Sequence, residues 1–455
     1  MSDPVSDRSP LSRFDRHVLE HDGGRRRKLL EIAGHVLDAV DPETAVAGAV
    51  GREGNTLRVG GRFIDLDAFE RVVVIGFGKA AVPMGRAIVR LLTGARLGGV
   101  LVTSDPSAVP PFEVVGGSHP IPDPASVAAG RIALRVANEV GPDDLAVVLI
   151  SGGGSALLAA PASGLNIDDL QQTNALLLRS GASIVELNTV RKHLSAVKGG
   201  RLGEALARAG ALMTLVISDV VGNPLDGIAS GPTVPDTTSY DDALGVLDRY
   251  EVRRRVPETI VRHLSSGAEG GIADVAENLP IFERQVIEVV ADARSAALAA
   301  ASAVDDLGLA PVVVTTGLQG EARDVAHRLI RDSSELPHES VAIYAGETTV
   351  TVTGEGSGGR NQELALSASI ELAGRNDLIL LALDTDGVDG TVAVAGAFAD
   401  GTAVRRGASL GLQAPAFLKR NDAYTFLDAI GDTVITGPTG TNVGDLVLVY
   451  RHHPS

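Results

Sequence analysis

The order of apolar segments along this chain predicts an α/β fold with two α/β domains. Continuous apolar runs such as Val72–Ile75 recur along the 455 residues, as expected of strands that are buried on both faces of a parallel sheet. Helical patterns separate these runs, and several runs end in glycine-rich turns. Such alternation is typical of a doubly wound, mainly parallel sheet, in which ligands bind beyond the carboxyl ends of the strands.

Composition narrows the classes of function. Hydrophobic residues make up 44% of the chain, which is long enough to bury more than one core. A net charge of −17 and an aromatic content of 3% argue against a nucleic-acid partner. The absence of cysteine excludes a disulfide, a thiolate metal site and a cysteine nucleophile. With no signal-peptide pattern and no apolar run long enough for a membrane span, we expect a cytoplasmic protein without a membrane partner.

The N-terminal part is predicted to contain a flexible lead over residues 1–24 and a doubly wound domain over residues 25–275. Its first helix should run from about Arg25 to Val40, with Arg25-Arg26-Arg27-Lys28 as a solvated face. The elements that follow are expected in this order: strand 72–75, a helix to about Leu92, and strands 99–103, 145–150 and 212–217.

The segment Ser265–Gly271 is rich in serine and glycine and is interpreted as a linker, which places the C-terminal domain over residues 276–455. Segments 341–344 and 348–353 are predicted to form a hairpin. The other expected elements are strands 286–290, 311–315, 378–383 and 446–450, and helices 293–307, 321–332 and 360–373.

The sequence Ser151-Gly152-Gly153-Gly154-Ser155 follows a predicted strand and precedes an apolar segment that is expected to be helical. Consecutive glycine N–H groups, serine hydroxyls and the N-terminal end of a helix dipole together favour a phosphate-binding loop. The alternative is a tight turn that binds nothing.

A second glycine-rich turn, Gly76-Phe77-Gly78-Lys79-Ala80-Ala81, matches the loose dinucleotide-binding pattern, and Asp105 lies where a ribose-binding acid would be expected. Lys79 within the turn suits a transferring phosphoryl group as well as a pyrophosphate. A surface lysine after an ordinary turn remains the alternative.

Cationic side chains are concentrated in residues 187–201, which is unusual in a chain this acidic. The segment could bind a carboxylate or a phosphate, or it could be a structural helix with a charged outer face. The candidate binding residues are Asn188, Arg191, Lys192 and Lys198.

Three further loops carry candidate residues. Asp219 follows a predicted strand and could hold Mg²⁺ or accept a hydroxyl proton. Arg360 opens a predicted helix, where a cation opposes the helix dipole unless an anion shares its charge. Asp386 belongs to Asp384–Gly390, whose acids suit Mg²⁺ but do not match the spacing of a calcium loop. The loop 437–445 suits phosphate contact or a tight connection.

Together these segments resemble the glycerate 2-kinase family, whose C-terminal part is called the MOFRL domain and whose members are often labelled hydroxypyruvate reductase. The P-loop, protein-kinase, nucleophile-elbow and H-E-x-x-H motifs are all absent from the sequence. The matching segments span nearly the whole chain; they are 76–81, 119–123, 151–158, 188–201, 218–233, 358–363, 384–390 and 436–445.

The resemblance implies an active site in a cleft between two α/β domains, with ATP, a divalent cation and D-glycerate as ligands. It also implies that Lys79 and Arg360 correspond to a lysine and an arginine that face each other across this cleft. In our hypothesis the Ser151–Ser155 loop holds phosphate, and Asp219 or Asp386 holds Mg²⁺.

In the same hypothesis the carboxylate of Asp219 or Asp386 receives the proton of the substrate 2-hydroxyl. Arg191, Lys192 or Lys198 binds the glycerate carboxylate. The expected product is 2-phosphoglycerate. Two alternatives remain open, an NAD(P)H-dependent hydroxypyruvate reductase and a non-catalytic sensor of nucleotides or sugar acids. The oligomeric state is also open, with a homodimer as one candidate.

Overall fold

The structure, a computed structural model, describes residues 9–15, 24–276 and 278–454. The strands are β1 (Gly51–Glu53), β2 (Thr56–Val59), β3 (Arg62–Asp65), β4 (Arg71–Phe77), β5 (Leu97–Thr103), β6 (Glu113–Gly116), β7 (Asp144–Ile150), β8 (Ala211–Ile217), β9 (Gln285–Ala291), β10 (Ala310–Leu318), β11 (Ser340–Gly346), β12 (Leu378–Asp384), β13 (Gly396–Asp400), β14 (Thr433–Val434) and β15 (Asp445–Arg451).

The helices connect these strands. They are α1 (Arg25–Ala39), α2 (Pro42–Ala49), α3 (Ala81–Leu91), α4 (Pro124–Asn138), α5 (Gly154–Leu157), α6 (Ile167–Arg179), α7 (Ile184–His193), α8 (Arg201–Ala205), α9 (Tyr240–Arg249), α10 (Glu258–Ala268), α11 (Pro280–Glu283), α12 (Ala293–Asp306), α13 (Ala322–Ser334), α14 (Arg360–Glu371), α15 (Ala403–Ser409), α16 (Ala414–Lys419) and α17 (Ala423–Ala429). Among the described residues, no helix is long and apolar enough to cross a membrane.

The chain forms two units. The parallel-sheet unit comprises Ala45–Ile217 and Asn223–Val290, and the mixed-sheet unit comprises the described residues up to Thr44, Ser218–Gly222 and the chain from Ala291 onward. The predicted class of two α/β domains is confirmed, but each unit is discontinuous in sequence, unlike the ranges 25–275 and 276–455.

The parallel-sheet unit contains a six-stranded sheet with the order β6-β5-β4-β7-β8-β9. The pairs from β6 to β8 are parallel, and every residue of β7 is buried. This burial explains why β7 reads as a continuous apolar run. Residues 51–65 add a small antiparallel sheet, β1-β2-β3, which the sequence analysis did not predict.

Residues 285–290 of strand β9 follow the predicted domain boundary at residue 275 but belong to the parallel-sheet unit. β9 was predicted as the first strand of the C-terminal domain, but it lies next to β8 at the edge of the parallel sheet. The predicted linker Ser265–Gly271 is partly helical, because α10 continues to Ala268. The end of a helix can therefore have the same glycine and serine content as a linker.

The mixed-sheet unit contains a six-stranded sheet with the order β10-β11-β15-β12-β13-β14. Only the β10–β11 pair is parallel. The predicted hairpin of 341–344 with 348–353 is wrong, because β11 pairs with β10 and β15 while residues 348–353 form a loop. The Thr348 backbone N–H instead donates to the carboxylate of Asp445, at 3.0 Å.

The predicted solvated face of α1 is also wrong at one position. Arg26 is only 1% exposed, and its Nη2 lies 2.8 Å from Asp400 and 2.7 Å from Asp432. Its guanidinium also lies over the ring of Phe398. Buried counterions, which are distant in sequence, therefore hold the start of α1 against the mixed sheet.

Part of the predicted flexible lead is packed. Pro10–Arg13 form a 3₁₀ helix, Phe14 is buried, and the Arg13 Nε donates to Asp38 at 2.7 Å. Residues 1–8 and 16–23 of the predicted lead lie outside the described residues.

Candidate active site

The two glycine-rich turns of the parallel-sheet unit lie side by side. They follow β4 and β7, which pair in parallel with Phe77 opposite Ile150. The Lys79 N–H donates to the Gly152 carbonyl at 2.9 Å, and the Ala80 N–H donates to the Ser151 hydroxyl at 3.0 Å. The sequence analysis treated the turns separately, but the strand order joins them into one loop pair.

Ser151 makes a structural contact within the loop pair. Its side chain is buried, and its hydroxyl oxygen accepts the hydrogen bond from Ala80 at the start of α3. A side chain at Gly78, where φ is +122°, would overlap Ser151. Ser151 therefore fixes the loop pair. The predicted contact of its O–H with a phosphate stays a prediction.

The segment after the three glycines is shorter than predicted. α5 is a single turn over Gly154–Leu157, so little helix dipole is available to a bound anion. Gly153 precedes α5 with a φ of +79°, and a side chain there would meet the ring of His119. The close approach of His119 explains why a side chain is excluded at Gly153.

Ser155 belongs to a series of polar side chains that are joined by hydrogen bonds. Its hydroxyl lies 3.1 Å from that of Ser230, which donates to the Asn188 side-chain oxygen at 3.0 Å. Ser230 and its neighbour Ala229 have φ values of +63° and +50°, which are unfavourable for residues with side chains. Strain of this kind persists where the surrounding structure holds a functional group in place.

Two cations lie beside this series of polar side chains. The Lys198 Nζ donates to the Ser155 carbonyl at 2.7 Å, and the Arg191 Nε donates to the Asn174 side chain at 3.0 Å. Burial lowers the pKa of Lys198 to about 7, with a contribution from the charge of Arg191, and burial lowers the pKa of Arg191 to about 10. Within the described ranges neither cation makes an ion pair with an acid, so the pair is suited to an anionic ligand.

Lys192 differs from these two cations. Its Nζ lies 3.3 Å from both Asp226 and Asp236, and the side chain is almost fully buried. Lys192 is therefore an internal ion-pair residue, and we remove it from the predicted binding set. Its position on α7 next to Arg191 gave no sign of this difference in the sequence.

Arg360 is the centre of a cluster of charges in the mixed-sheet unit. Its Nε lies 2.8 Å from Asp445, its Nη2 2.7 Å from Asp384 and its Nη1 3.3 Å from Glu347. The position of Arg360 at the start of α14 predicts an external anion that balances its charge. The chain itself supplies the anions, and the sequence analysis identified neither Glu347 nor Asp445 as a partner.

Burial of this cluster changes the acidity of its members. Burial raises the pKa of Asp384, and partial burial raises the pKa of Glu347 to about 7, although Arg360 opposes both changes. Burial would lower the pKa of Arg360, but Asp445, Asp384 and Glu347 raise it overall. A carboxylate with a pKa near neutrality is suited to proton transfer.

Asp219 and Asp386 lie close enough to this cluster to raise the pKa of Glu347 by their charges. The Asn442 side chain donates to Asp219 at 2.9 Å, and Asp386 accepts the Val388 N–H at 2.8 Å. Among the described residues no three acids or histidines form a metal-binding group. The two carboxylates therefore offer oxygen ligands without a complete cage.

Comparison with known proteins decides the family. A family model described as Domain of unknown function (DUF4147) matches residues 28–265, and the MOFRL family model matches residues 340–445. A glycerate 2-kinase of Pyrococcus horikoshii is 39% identical over 92% of this chain and 96% of its own length. This chain belongs to the glycerate 2-kinase family.

The solved structure of a glycerate kinase from Thermotoga maritima is similar throughout the fold. The TM-score is 0.82 at 34% identity, over 93% of this chain and 99% of the other. A relative from Agrobacterium vitis, provisionally named hydroxypyruvate reductase, is 41% identical over 83% of this chain and 86% of its own length. Both names attached to the glycerate 2-kinase family therefore occur among close relatives.

Proposed function

We propose that this protein transfers the γ-phosphoryl group of ATP to the 2-hydroxyl of D-glycerate. The observation that carries the proposal is a pair of cations, the half-buried Arg191 and the buried Lys198, beside the polar side chains of Ser155, Ser230 and Asn188. A small acid with hydroxyl groups matches this set, because its carboxylate would meet the cations and its hydroxyls would meet the polar side chains.

The loop pair supports phosphate binding. Backbone N–H groups of Gly152 and Gly153 are the proposed phosphate donors, and Ser155 adds a hydroxyl. The Gly154 N–H donates to the Ser151 carbonyl at 3.2 Å and is left out of this set. Lys79 is exposed in the same loop pair and would stabilise the charge of the transferring group. Ser151 is proposed as a positioning residue for these donors.

Arg360 is proposed to stabilise the transferring phosphoryl group through its Nη1. Its carboxylate partners differ in exposure, since the side chain of Glu347 is 45% exposed while those of Asp384 and Asp445 are 4% and 0% exposed. The Glu347 contact is the one that an incoming phosphate would most readily replace. The other two carboxylates would keep the guanidinium in position.

Mg²⁺ would enter as the ATP complex. Asp219 and Asp386 are the proposed protein ligands, and phosphates and water would supply the remaining oxygens, which is the usual arrangement for nucleotide-bound magnesium. Asp219 would also orient the substrate 2-hydroxyl and receive its proton. The prediction that Lys79 and Arg360 act on the same phosphoryl group from two domains stays a prediction.

The hydroxypyruvate reductase is kept as the second candidate because Gly76-x-Gly78-x-x-Ala81 joins a parallel strand to a helix. Gly78 packs against Ser151 in this turn. The neighbouring Lys79 suits a transferring phosphoryl group, which favours the kinase.

The test measures ADP release with ATP, Mg²⁺ and D-glycerate, and in parallel the oxidation of NADH and NADPH with hydroxypyruvate. The proposal predicts glycerate-dependent ADP release and no nucleotide oxidation. Hydroxypyruvate-dependent oxidation without ADP release would replace the kinase with the reductase. Glycerate and ATP binding by calorimetry without either reaction would favour the sensor.

A further inference from the structure

Helix α12 of the mixed-sheet unit carries a stripe of exposed residues on the side that faces away from its buried contacts. One side of the helix is buried and consists of small apolar residues such as Ala296, Ala300 and Val304. The opposite side presents Arg294, Leu298, Ala301, Ser302 and Asp305, and Leu298 is 58% exposed.

The stripe has the spacing of a helix-pairing seam. Arg294, Leu298, Ala301 and Asp305 follow one another at intervals of four, three and four residues, which places them on one face. The stripe is also complementary to itself. If a second copy of the helix packs against it in the antiparallel direction, Arg294 lies opposite Asp305 and Leu298 lies opposite Ala301. Such self-complementarity is what a two-fold axis requires.

The charges at the two ends of α12 support the same conclusion. Arg294 lies in the first turn and Asp305 in the last turn, so each opposes the helix dipole. Neither side chain makes an ion pair within residues 9–15, 24–276 and 278–454. An antiparallel copy of the helix would supply the missing counter-charge at both ends.

The neighbouring strand β10 is an uncharged edge of the same sheet. β10 is the edge of the mixed sheet, its nine residues carry no charge, and Val313 and Val314 are 42% and 45% exposed. Pro311 and the shifts in register against β11 shorten any further strand pairing. In a chain with a net charge of −17, a neutral surface is where two copies can approach with least repulsion.

We propose that the outer face of α12, defined by the stripe Arg294, Leu298, Ala301 and Asp305, is a two-fold interface between two copies of this chain. Leu298 and Ala301 form its apolar centre, and the two Arg294–Asp305 pairs fix the antiparallel register.

The test is sedimentation velocity of the full chain over a range of concentrations. The wild type should be a dimer. Arg294→Glu and Asp305→Arg should each raise the dimer dissociation constant about tenfold or more, because each replaces two attractions by two repulsions. The double variant should restore the wild-type constant, since it exchanges the charges without changing the pattern.

The control is Arg405→Glu, which makes the same change of charge at an exposed arginine of α15. It should leave the dissociation constant unchanged. Circular dichroism of each variant establishes that it is folded. A wild-type monomer at every concentration would overturn the proposal, as would a dimer that is insensitive to both single variants or a double variant that is weaker than either single one.

Discussion

Lys79 and Arg360 are both proposed to stabilise the transferring phosphoryl group, but the fold depends on them to different degrees. Lys79 is exposed in the loop pair, whereas three carboxylates surround Arg360. Removing Arg360 leaves Asp445 and Asp384 buried without their cation, which is costly. The sequence showed both cations in glycine-rich loops and gave no basis for this distinction.

We expect Lys79→Ala to reduce kcat about 10²- to 10³-fold and to lower the unfolding midpoint less than Arg360→Ala does, because Lys79 is exposed. Arg360→Ala should reduce kcat by a similar factor and should also lower the midpoint. Steady-state kinetics and urea unfolding of both variants test this difference. Turnover near that of the wild type in either variant would remove that residue from the proposed site.

Lys198 provides a pH test of the acid-binding cations. Its pKa is about 7, so its positive charge is complete below that pH and is lost as the pH rises. The kcat/KM for D-glycerate should therefore fall above about pH 7, because this parameter reports the free enzyme. In Lys198→Arg the cation persists, and the alkaline fall should disappear. An identical alkaline fall in the wild type and in Lys198→Arg would contradict the assignment.

At the level of elements, the loop pair depends on close contact between two turns. Gly78 combines a positive φ with a position against Ser151, whereas Gly94 also has a positive φ but lies in open space. Gly94→Ala should cost about 1 to 2 kcal/mol from backbone strain alone. Gly78→Ala should cost more and should lower kcat, because the turn must move. Equal costs in urea unfolding would show that the Ser151 contact is unimportant.

The attachment of α1 depends on a buried cation. Arg26→Ala should lower the free energy of unfolding by about 3 kcal/mol, because it leaves Asp432 buried with one fewer cationic partner. Arg27→Ala is the matched control, since Arg27 is exposed on the same turn and should change stability by less than about 0.5 kcal/mol. Equal effects of the two substitutions in urea unfolding would contradict the structural role of Arg26.

Element types were more predictable than their partners. The buried runs of β4, β7 and β12 and the patterns of α1, α12 and α14 were read correctly from local periodicity. Periodicity reports only which side of an element is buried. It could not identify Asp400 and Asp432 as the counterions of Arg26, nor could it reveal that Thr349 pairs with Glu321 and not with β11.

For the whole molecule, the fold class was predictable and the division of the chain was not. β9 follows a segment of linker-like composition and yet joins the parallel sheet, and α1 precedes that sheet in sequence but belongs to the mixed-sheet unit. Long-range packing decides both assignments. The same limit applies to the candidate site, where Arg191 and Lys198 lie beside Ser155 while the adjacent Lys192 is bound by Asp226 and Asp236.

The central claim concerns the reaction and its position on the substrate. The most direct measurement incubates the protein with ATP, Mg²⁺ and D-glycerate and identifies the product by phosphorus and carbon NMR, with Lys79→Ala as the control. The account predicts 2-phosphoglycerate, with phosphorus coupling to the carbon that carried the 2-hydroxyl, and little product from the variant. Formation of 3-phosphoglycerate, or no phosphorylated product at all, would contradict it.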